Sequence, residues 1–282
     1  MGELRGKALI LGHLAMILAC LIILAPFAWI AVNSAKRQID IYEGTLQFTP
    51  TWLNYDRLLF SKQSNFIRNL ANSAIVATAS TLVVMAVGTL TAYGLTRYVW
   101  GRRFRLGGWF KGALLGWILL FHMIPAITLV GPWYLIFREL GLYNTLLGLT
   151  LTHITLNLPM ATWLMMSFIQ DVPRELEDAA WIDGCRRVGA FVRVVLPVIV
   201  PGLVATGVLA FIFSWNEFSV ALNLTASPTA TIPVAIANFA QQYEIQYGEM
   251  AAGTVLATVP AILLMFAGQR FIVRGLMLGA LK

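Results

Sequence analysis

Hydrophobic residues run through this chain in long stretches that contain no charged side chain. Six of these stretches reach the roughly 20 apolar residues that a helix needs to cross about 30 Å of hydrocarbon. The predicted spans cover residues 9–33, 70–95, 112–135, 143–169, 196–222 and 250–271. The pattern therefore predicts an all-α, polytopic membrane helix bundle of about six transmembrane helices, forming a single domain over residues 1–282.

A seventh uncharged stretch lies between Glu217 and Glu244, but it is rich in Asn, Gln, Thr, Ser and Pro. Inside a bilayer every backbone polar group must be paired within the protein, so a segment broken in this way is a poor lipid-facing span. We predict an external loop here that is partly re-entrant.

The basic residues fix the predicted orientation. With six spans both termini lie on one side of the membrane, and that side receives most of the Lys and Arg residues. Because basic loops stay on the cytoplasmic side, we predict cytoplasmic termini and an inner-membrane location. These residues are Arg5, Lys7, Arg97, Arg102, Arg103, Arg105, Lys111, Arg174, Arg186, Arg187, Arg193, Arg270, Arg274 and Lys282. Only 12% of residues are charged, about half the share of a soluble domain. The net charge of +7 thus fits topology and anionic lipid, with no nucleic-acid partner.

The cytoplasmic loop 171–195, between the fourth and fifth spans, predicts two short amphipathic helices separated by a left-handed turn at Gly184. The spacing gives each helix one apolar face. The first face is formed by Leu176, Ala179 and Ala180, and the second by Val188, Phe191, Val192 and Val195. Two uses fit this pattern: docking in a groove of a soluble partner, or lying on the membrane surface.

A few polar side chains fall inside predicted spans, where ionisable groups are costly and often functional. Glu217 is the one acid there, and Asn216 precedes it. Three roles fit this pair: lining a solute path, forming hydrogen bonds at an external gate, or packing together as a buried pair. His153 and Asn157 are four residues apart on one helix face, so they face a cavity or stabilise the bundle by hydrogen bonds.

The loop closely resembles the "EAA" loop of ABC-importer permeases, whose core reads E-A-A-x-x-D-G. Here Asp178-Ala179-Ala180 is followed by Asp183-Gly184, so the family's acidic lead is Asp178 in register or Glu177 with a shift of one residue. In that family the loop contacts the ATP-hydrolysing subunit. The resemblance assigns this contact to Glu175, Glu177, Asp178, Ala179, Ala180, Asp183, Gly184, Phe191 and Pro197.

Other segments resemble the carbohydrate permeases of the maltose-importer type, and most closely their second, six-span permease. Trp215-Asn216-Glu217-Phe218 is similar to that group's W-N-E-F, and Asn69, Asn72 and Ser73 are similar to its N-S pattern. The C-terminal ending is similar to G-L-x-x-G-x-x-K. The matching residues, for which the resemblance implies an ATPase contact, are Gly275, Gly279 and Lys282.

The resemblance implies the ABC type I importer permease fold and alternating access. It also implies four partners besides the lipid bilayer: a second homologous permease, two copies of a cytoplasmic ABC ATPase, and an extracytoplasmic solute-binding protein that contacts the loop 223–249. The chain itself is then a transporter subunit, not an enzyme, and half of the pathway for a sugar or sugar-like solute. No cofactor is expected in this chain, because ATP and Mg belong to the ATPase subunits.

Three alternatives remain open. An ABC permease for a polyol, glycerol phosphate, polyamine or phosphate shares the loop motif. An ion-coupled secondary transporter is disfavoured because it needs acids deep in its spans and inverted repeats. A membrane enzyme is disfavoured because the three histidines, at positions 13, 122 and 153, form no catalytic or metal-binding cluster in the sequence. No phosphate-binding G-x-x-x-x-G-K-[ST] motif occurs, so we expect the energy for transport to come from partner subunits or from an ion gradient.

Overall fold

The computed structural model describes residues 2–97, 107–240 and 245–280, with side chains for 8–97, 108–240 and 245–271. Throughout these ranges the regular elements are helices, and one isolated antiparallel bridge joins Ala240 and Ile245. The long helices are α1 (Gly2–Ser34), α4 (Phe66–Arg97), α5 (Gly107–Met123), α6 (Val130–Glu139), α7 (Leu146–Gln170), α11 (Val200–Trp215) and α14 (Tyr247–Ala280). The short ones are α2 (Gln38–Tyr42), α3 (Leu53–Phe60), α8 (Arg174–Ile182), α9 (Arg187–Ala190), α10 (Leu196–Val198), α12 (Ser219–Leu224) and α13 (Ile232–Ala237), with a 3₁₀ turn at Ala126–Leu129 and a π-helical turn at Phe191–Val195.

Three helices in the described ranges are long and apolar enough to cross a membrane: Ala8–Ser34, Phe66–Arg97 and Tyr247–Phe271. Two bent pairs, Gly108–Met123 with Ala126–Glu139 and Arg187–Val198 with Val200–Trp215, raise the number to as many as five. The predicted span 143–169 corresponds to α7, which has the length of a span but carries several buried polar residues. The prediction of six spans therefore stays a prediction.

The third and fifth predicted spans are not straight helices. The first bent pair turns by 99°, and Pro125, at the break, has an extended backbone. The second pair turns by 75° at Ile199, which lies between Pro197 and Pro201. Proline lacks the backbone donor and its ring clashes with the preceding turn, so helices break where prolines cluster.

The chain divides into two compact units, Met1–Ile67 with Ala235–Val259, and Arg68–Val234 with Pro260–Lys282. In the first unit the segment after α1 is fixed by buried polar contacts. Lys36 is 1% exposed, its ammonium lies over the rings of Trp29 and Phe48, and it donates to the Thr45 carbonyl. The Asn54 amide donates to the carbonyls of Ser34 and Lys36. Cation–π contacts and hydrogen bonds thus compensate the buried charge.

The second unit has an apolar core that carries the cytoplasmic loop. One end of this core packs α4, α7 and the turn Phe191–Val195 together. Its buried members are Ala92, Leu95, Met165, Met166, Ile169, Val172, Phe191, Val195 and Ile199. Because the loop contributes its own side chains to this core, its second half is part of the folded bundle.

Candidate functional site

The first helix of the cytoplasmic loop, α8, ends in a glycine-dependent turn. Gly184 has φ +85°, a left-handed conformation that suits glycine. The Cys185 amide donates to the Ala180 carbonyl, and the Gly184 amide donates to that of Trp181. These two bonds form a Schellman motif and satisfy the last carbonyls of α8. The turn predicted at Gly184 is confirmed.

The inner face of α8 differs from the predicted apolar face. Glu177 and Ala180 are buried, at 3% and 8% exposure, whereas Leu176 and Ala179 are exposed. The predicted apolar face is therefore divided: Ala180 is buried, whereas Leu176 and Ala179 stay exposed, where a partner or the membrane surface can contact them. A carboxylate occupies the inward position because two side chains of α4 receive it there.

Those two side chains are Arg97 and Tyr93. Arg97 Nε lies 2.6 Å from Glu177 Oε1, with the N–H not aimed at the oxygen, so the contact is an ion pair without a well-formed hydrogen bond. The Tyr93 hydroxyl donates to Glu177 Oε2 at 2.6 Å. The sequence predicts neither contact, because no local signal pairs residues of separate helices; in the sequence, Arg97 contributes only to the predicted orientation.

The second half of the loop also differs from its prediction. Phe191 and Val195 are buried, whereas Val188 and Val192 are exposed, so the predicted single apolar face is split. The physical reason is the π-helical turn Phe191–Val195, whose wider turn changes which positions share a face. The Phe191 ring packs 4.6 Å from that of Tyr93.

The loop consequently exposes a group of large apolar side chains. We call this group the outward patch, and it comprises Leu176, Trp181, Ile182, Val188 and Val192. Ile182 is 87% exposed. The remaining loop residues predicted to contact the ATPase, namely Glu175, Asp178, Asp183 and Pro197, are exposed as well. Exposed large apolar side chains interspersed with acids on two short helices are suited to docking on a soluble partner.

The W-N-E-F segment forms the junction between α11 and α12. Trp215 is buried and stacks on Phe211, while Asn216 and Phe218 are exposed. The Glu217 carboxylate accepts hydrogen bonds from the amides of Val220 and Ala221, at 2.8 and 3.0 Å. Glu217 therefore caps the start of α12, where a negative charge is favourable.

A buried polar chain reaches Glu217 from α4 and α7. The hydroxyls of Ser80 and Ser214 lie 3.1 Å apart, and Ser214 Oγ is 2.6 Å from His153 Nδ1. His153 Nε2 is 3.7 Å from Glu217 Oε2, too long for a hydrogen bond. Asn157 donates to the His153 carbonyl. The structure thus places His153 beside Glu217, with Asn157 one helical turn from His153 on α7. His153 and Asn157 are buried, and the role of the three residues in a solute path stays a prediction.

The N-S pattern at the start of α4 fixes the segment before α13. Asn72 donates to the carbonyls of Pro228 and Ala230, and the Ser73 hydroxyl accepts from the Ile232 amide. Asn69 is buried as well. Of the C-terminal residues, Gly275 and Gly279 lie in α14, and Lys282 is outside the described residues.

Comparisons with known proteins agree on one family. Residues 98–277 match the family described as "Binding-protein-dependent transport system inner membrane component". The trehalose transport system permease protein SugB of Mycobacterium tuberculosis is 39% identical over 264 residues, covering 92% of each protein. The trehalose/maltose transport system permease protein MalG of Thermococcus litoralis is 34% identical over 284 residues, covering 99% of this chain and 98% of that protein.

Solved structures agree on the fold. A bacterial ABC transporter involved in the import of the acidic polysaccharide alginate aligns with a TM-score of 0.72 at 21% identity, covering 94% of this chain and 96% of that chain. The MetNI methionine ABC transporter aligns with a TM-score of 0.60 at 16% identity, covering 75% and 94%. The chain therefore belongs to the family of binding-protein-dependent transport system inner membrane components.

Proposed function

We propose that this chain forms half of the translocation pathway of an ATP-driven importer for a sugar or sugar-like solute. A second permease supplies the other half, two copies of a cytoplasmic ATPase bind and hydrolyse ATP, and an external binding protein delivers the solute. Both termini face the cytoplasm. The relatives named for trehalose and maltose transport support the sugar assignment.

The outward patch carries the proposal. Its side chains lie on α8 and the segment after it. In the same loop Glu177 and Ala180 are buried, and Phe191 and Val195 belong to the apolar core. Exposed Trp181 and Ile182 give a docking ATPase the large apolar anchors that dominate binding energy, and exposed Asp178 and Asp183 give it charge. A movement of the ATPase would then pass directly to a folded part of the permease.

Co-purification from native membranes tests this function. We expect the tagged chain to recover a stoichiometric ATPase and a second permease, and uptake of radiolabelled trehalose or maltose by the cells to require the chain. Ile182→Glu places a charge in the outward patch and should release the ATPase while the chain stays inserted. Leu46→Glu is the matched control, because Leu46 is 77% exposed and lies outside this loop. A chain that purifies without an ATPase, or an Ile182→Glu chain that retains it fully, contradicts the proposal.

A further inference from the structure

The contact between α8 and the last turn of α4 is reciprocal. The Arg97 guanidinium of α4 donates to the Val172 carbonyl at 2.7 Å, just before α8 begins. The Arg174 guanidinium of α8 donates to the Thr96 carbonyl at 3.1 Å, in the last turn of α4. Arg97 therefore binds the segment that leads into α8, and Arg174 binds a carbonyl in the last turn of α4, where carbonyls lack helical partners.

The ion pair of Arg97 and Glu177 lies at the centre of this contact. The side chains of Arg97 and Glu177 are 10% and 3% exposed, so both charges are largely removed from water. A buried charge without its partner is strongly unfavourable, so sliding α8 along α4 would have to break the pair inside the protein. The Tyr93 hydroxyl holds the second carboxylate oxygen and so fixes the orientation of Glu177.

The same tyrosine connects α8 to the second half of the loop. Its ring packs against Phe191, and Phe191 and Val195 belong to the core that contains Ala92 and Leu95 of α4. The helix end, α8 and the turn Phe191–Val195 therefore share one set of buried contacts within a single compact unit. Nothing in this set belongs to the outward patch.

We propose that the Arg97–Glu177 pair, oriented by Tyr93, is the fixed joint that makes α4 move together with α8. This inference rests on the proposed function, in which a partner ATPase displaces the outward patch. Arg97, Glu177 and Tyr93 are positioning residues. They hold α8 against α4, whereas the outward patch makes the contact with the partner. Without the joint, α8 would shift against α4 and the movement would be lost before it reached the membrane.

Spin-label distances in the complete transporter test the joint. The labels are attached at Leu82→Cys on α4 and Arg186→Cys just after α8, two exposed positions outside the outward patch, in a chain with Cys20 and Cys185 replaced by Ser. With the native pair, we expect one narrow distance distribution that is the same without nucleotide and with Mg-ATP and vanadate. With Glu177→Gln, we expect the distance to change on adding nucleotide.

A double variant keeps the test decisive if Glu177→Gln fails to assemble. Arg97→Gln with Glu177→Gln leaves no unpaired buried charge, so the fold is retained while the ionic joint is lost. We expect the nucleotide-dependent distance change here too, with transported trehalose per ATP hydrolysed lowered about tenfold, a typical coupling between sites. Arg57→Gln with Glu249→Gln is the matched control, since that pair lies elsewhere at 3.2 Å with Arg57 57% exposed.

Two results would contradict the proposal that the Arg97–Glu177 pair joins α4 to α8. One is a nucleotide-dependent change of the α4–α8 distance in the chain with the native pair. The other is a double variant with the native distance in both states and the native transport ratio. Failure of the proposed function is distinguishable from both, because no ATPase would then accompany the chain and nucleotide would change nothing in any variant.

Discussion

Glu177 and Asp178 are adjacent and chemically similar, yet the fold gives them opposite environments. Glu177 is buried against Arg97, and Asp178 is exposed on the outer side of α8. The sequence left open which of the two is the acidic lead of the loop motif. Because only an exposed carboxylate reaches a partner, Asp178, the acid in register with the motif, is the one that would contact the proposed ATPase.

Gly184 is the residue where a single methyl group should matter most in the loop. An L-residue at φ +85° pays about 1–2 kcal/mol, enough to change the population of the native turn about 5- to 30-fold. We therefore expect Gly184→Ala to lower the amount of ATPase recovered with the tagged chain several-fold at equal membrane abundance. Gly189→Ala is the control, because its new Cβ would lie an ordinary 3.7 Å from that of Cys185. Equal recovery from both variants would show that the turn geometry is not needed.

The W-N-E-F segment between α11 and α12 contains residues that stabilise the fold and residues that are accessible to solvent. Glu217 caps α12, so Glu217→Ala should lower the unfolding free energy by about 1 kcal/mol, the usual value for a lost cap. Asn216 is exposed, and Asn216→Ala should leave the thermal midpoint of the purified transporter unchanged. Radiolabelled trehalose uptake at that unchanged stability then tests whether Asn216 lines the solute path. An Asn216→Ala chain that unfolds as early as Glu217→Ala would contradict this division.

Helix positions were the most predictable feature, because a span needs only a long apolar run. The predicted spans 70–95 and 250–271 lie within α4 and α14, and the left-handed turn at Gly184 followed from its residue type. The inward face of α8 was not predictable, because polarity alone assigns Glu177 to solvent. Its partner Arg97 comes from another helix, and only the fold brings the two together.

The bends at Pro125 and Ile199 show a second limit of the pattern. Hydropathy reports the total apolar length of a segment and contains no information about the direction of the helix axis. Both segments contain prolines, but so do α1, α7 and α14, which continue through Pro26, Pro159 and Pro260. Whether a proline breaks a helix depends on how neighbouring helices satisfy the freed backbone groups, and that is tertiary information.

For the molecule as a whole, α1 is the clearest sign that this chain does not function alone in water. Its most apolar stretch has a mean hydropathy of 2.7, and none of it is buried by the described residues. A soluble protein rarely exposes an apolar surface of this extent. Lipid or another membrane subunit must therefore cover α1, which agrees with membership of an inner-membrane family.

The orientation of the chain in the membrane determines the side from which the proposed ATPase would bind. In a chain with both cysteines replaced by Ser, we place a single cysteine either at Gln63, between α3 and α4, or at Val188. Because most basic residues cluster on the side of Val188, a membrane-impermeant maleimide should label Gln63→Cys in intact spheroplasts and leave Val188→Cys unlabelled. In inside-out vesicles washed with urea to remove peripheral subunits, the pattern should reverse. Labelling of Val188→Cys in intact spheroplasts would place the outward patch outside the cell, where no ATP-hydrolysing partner is available, and the proposed coupling would have to be abandoned.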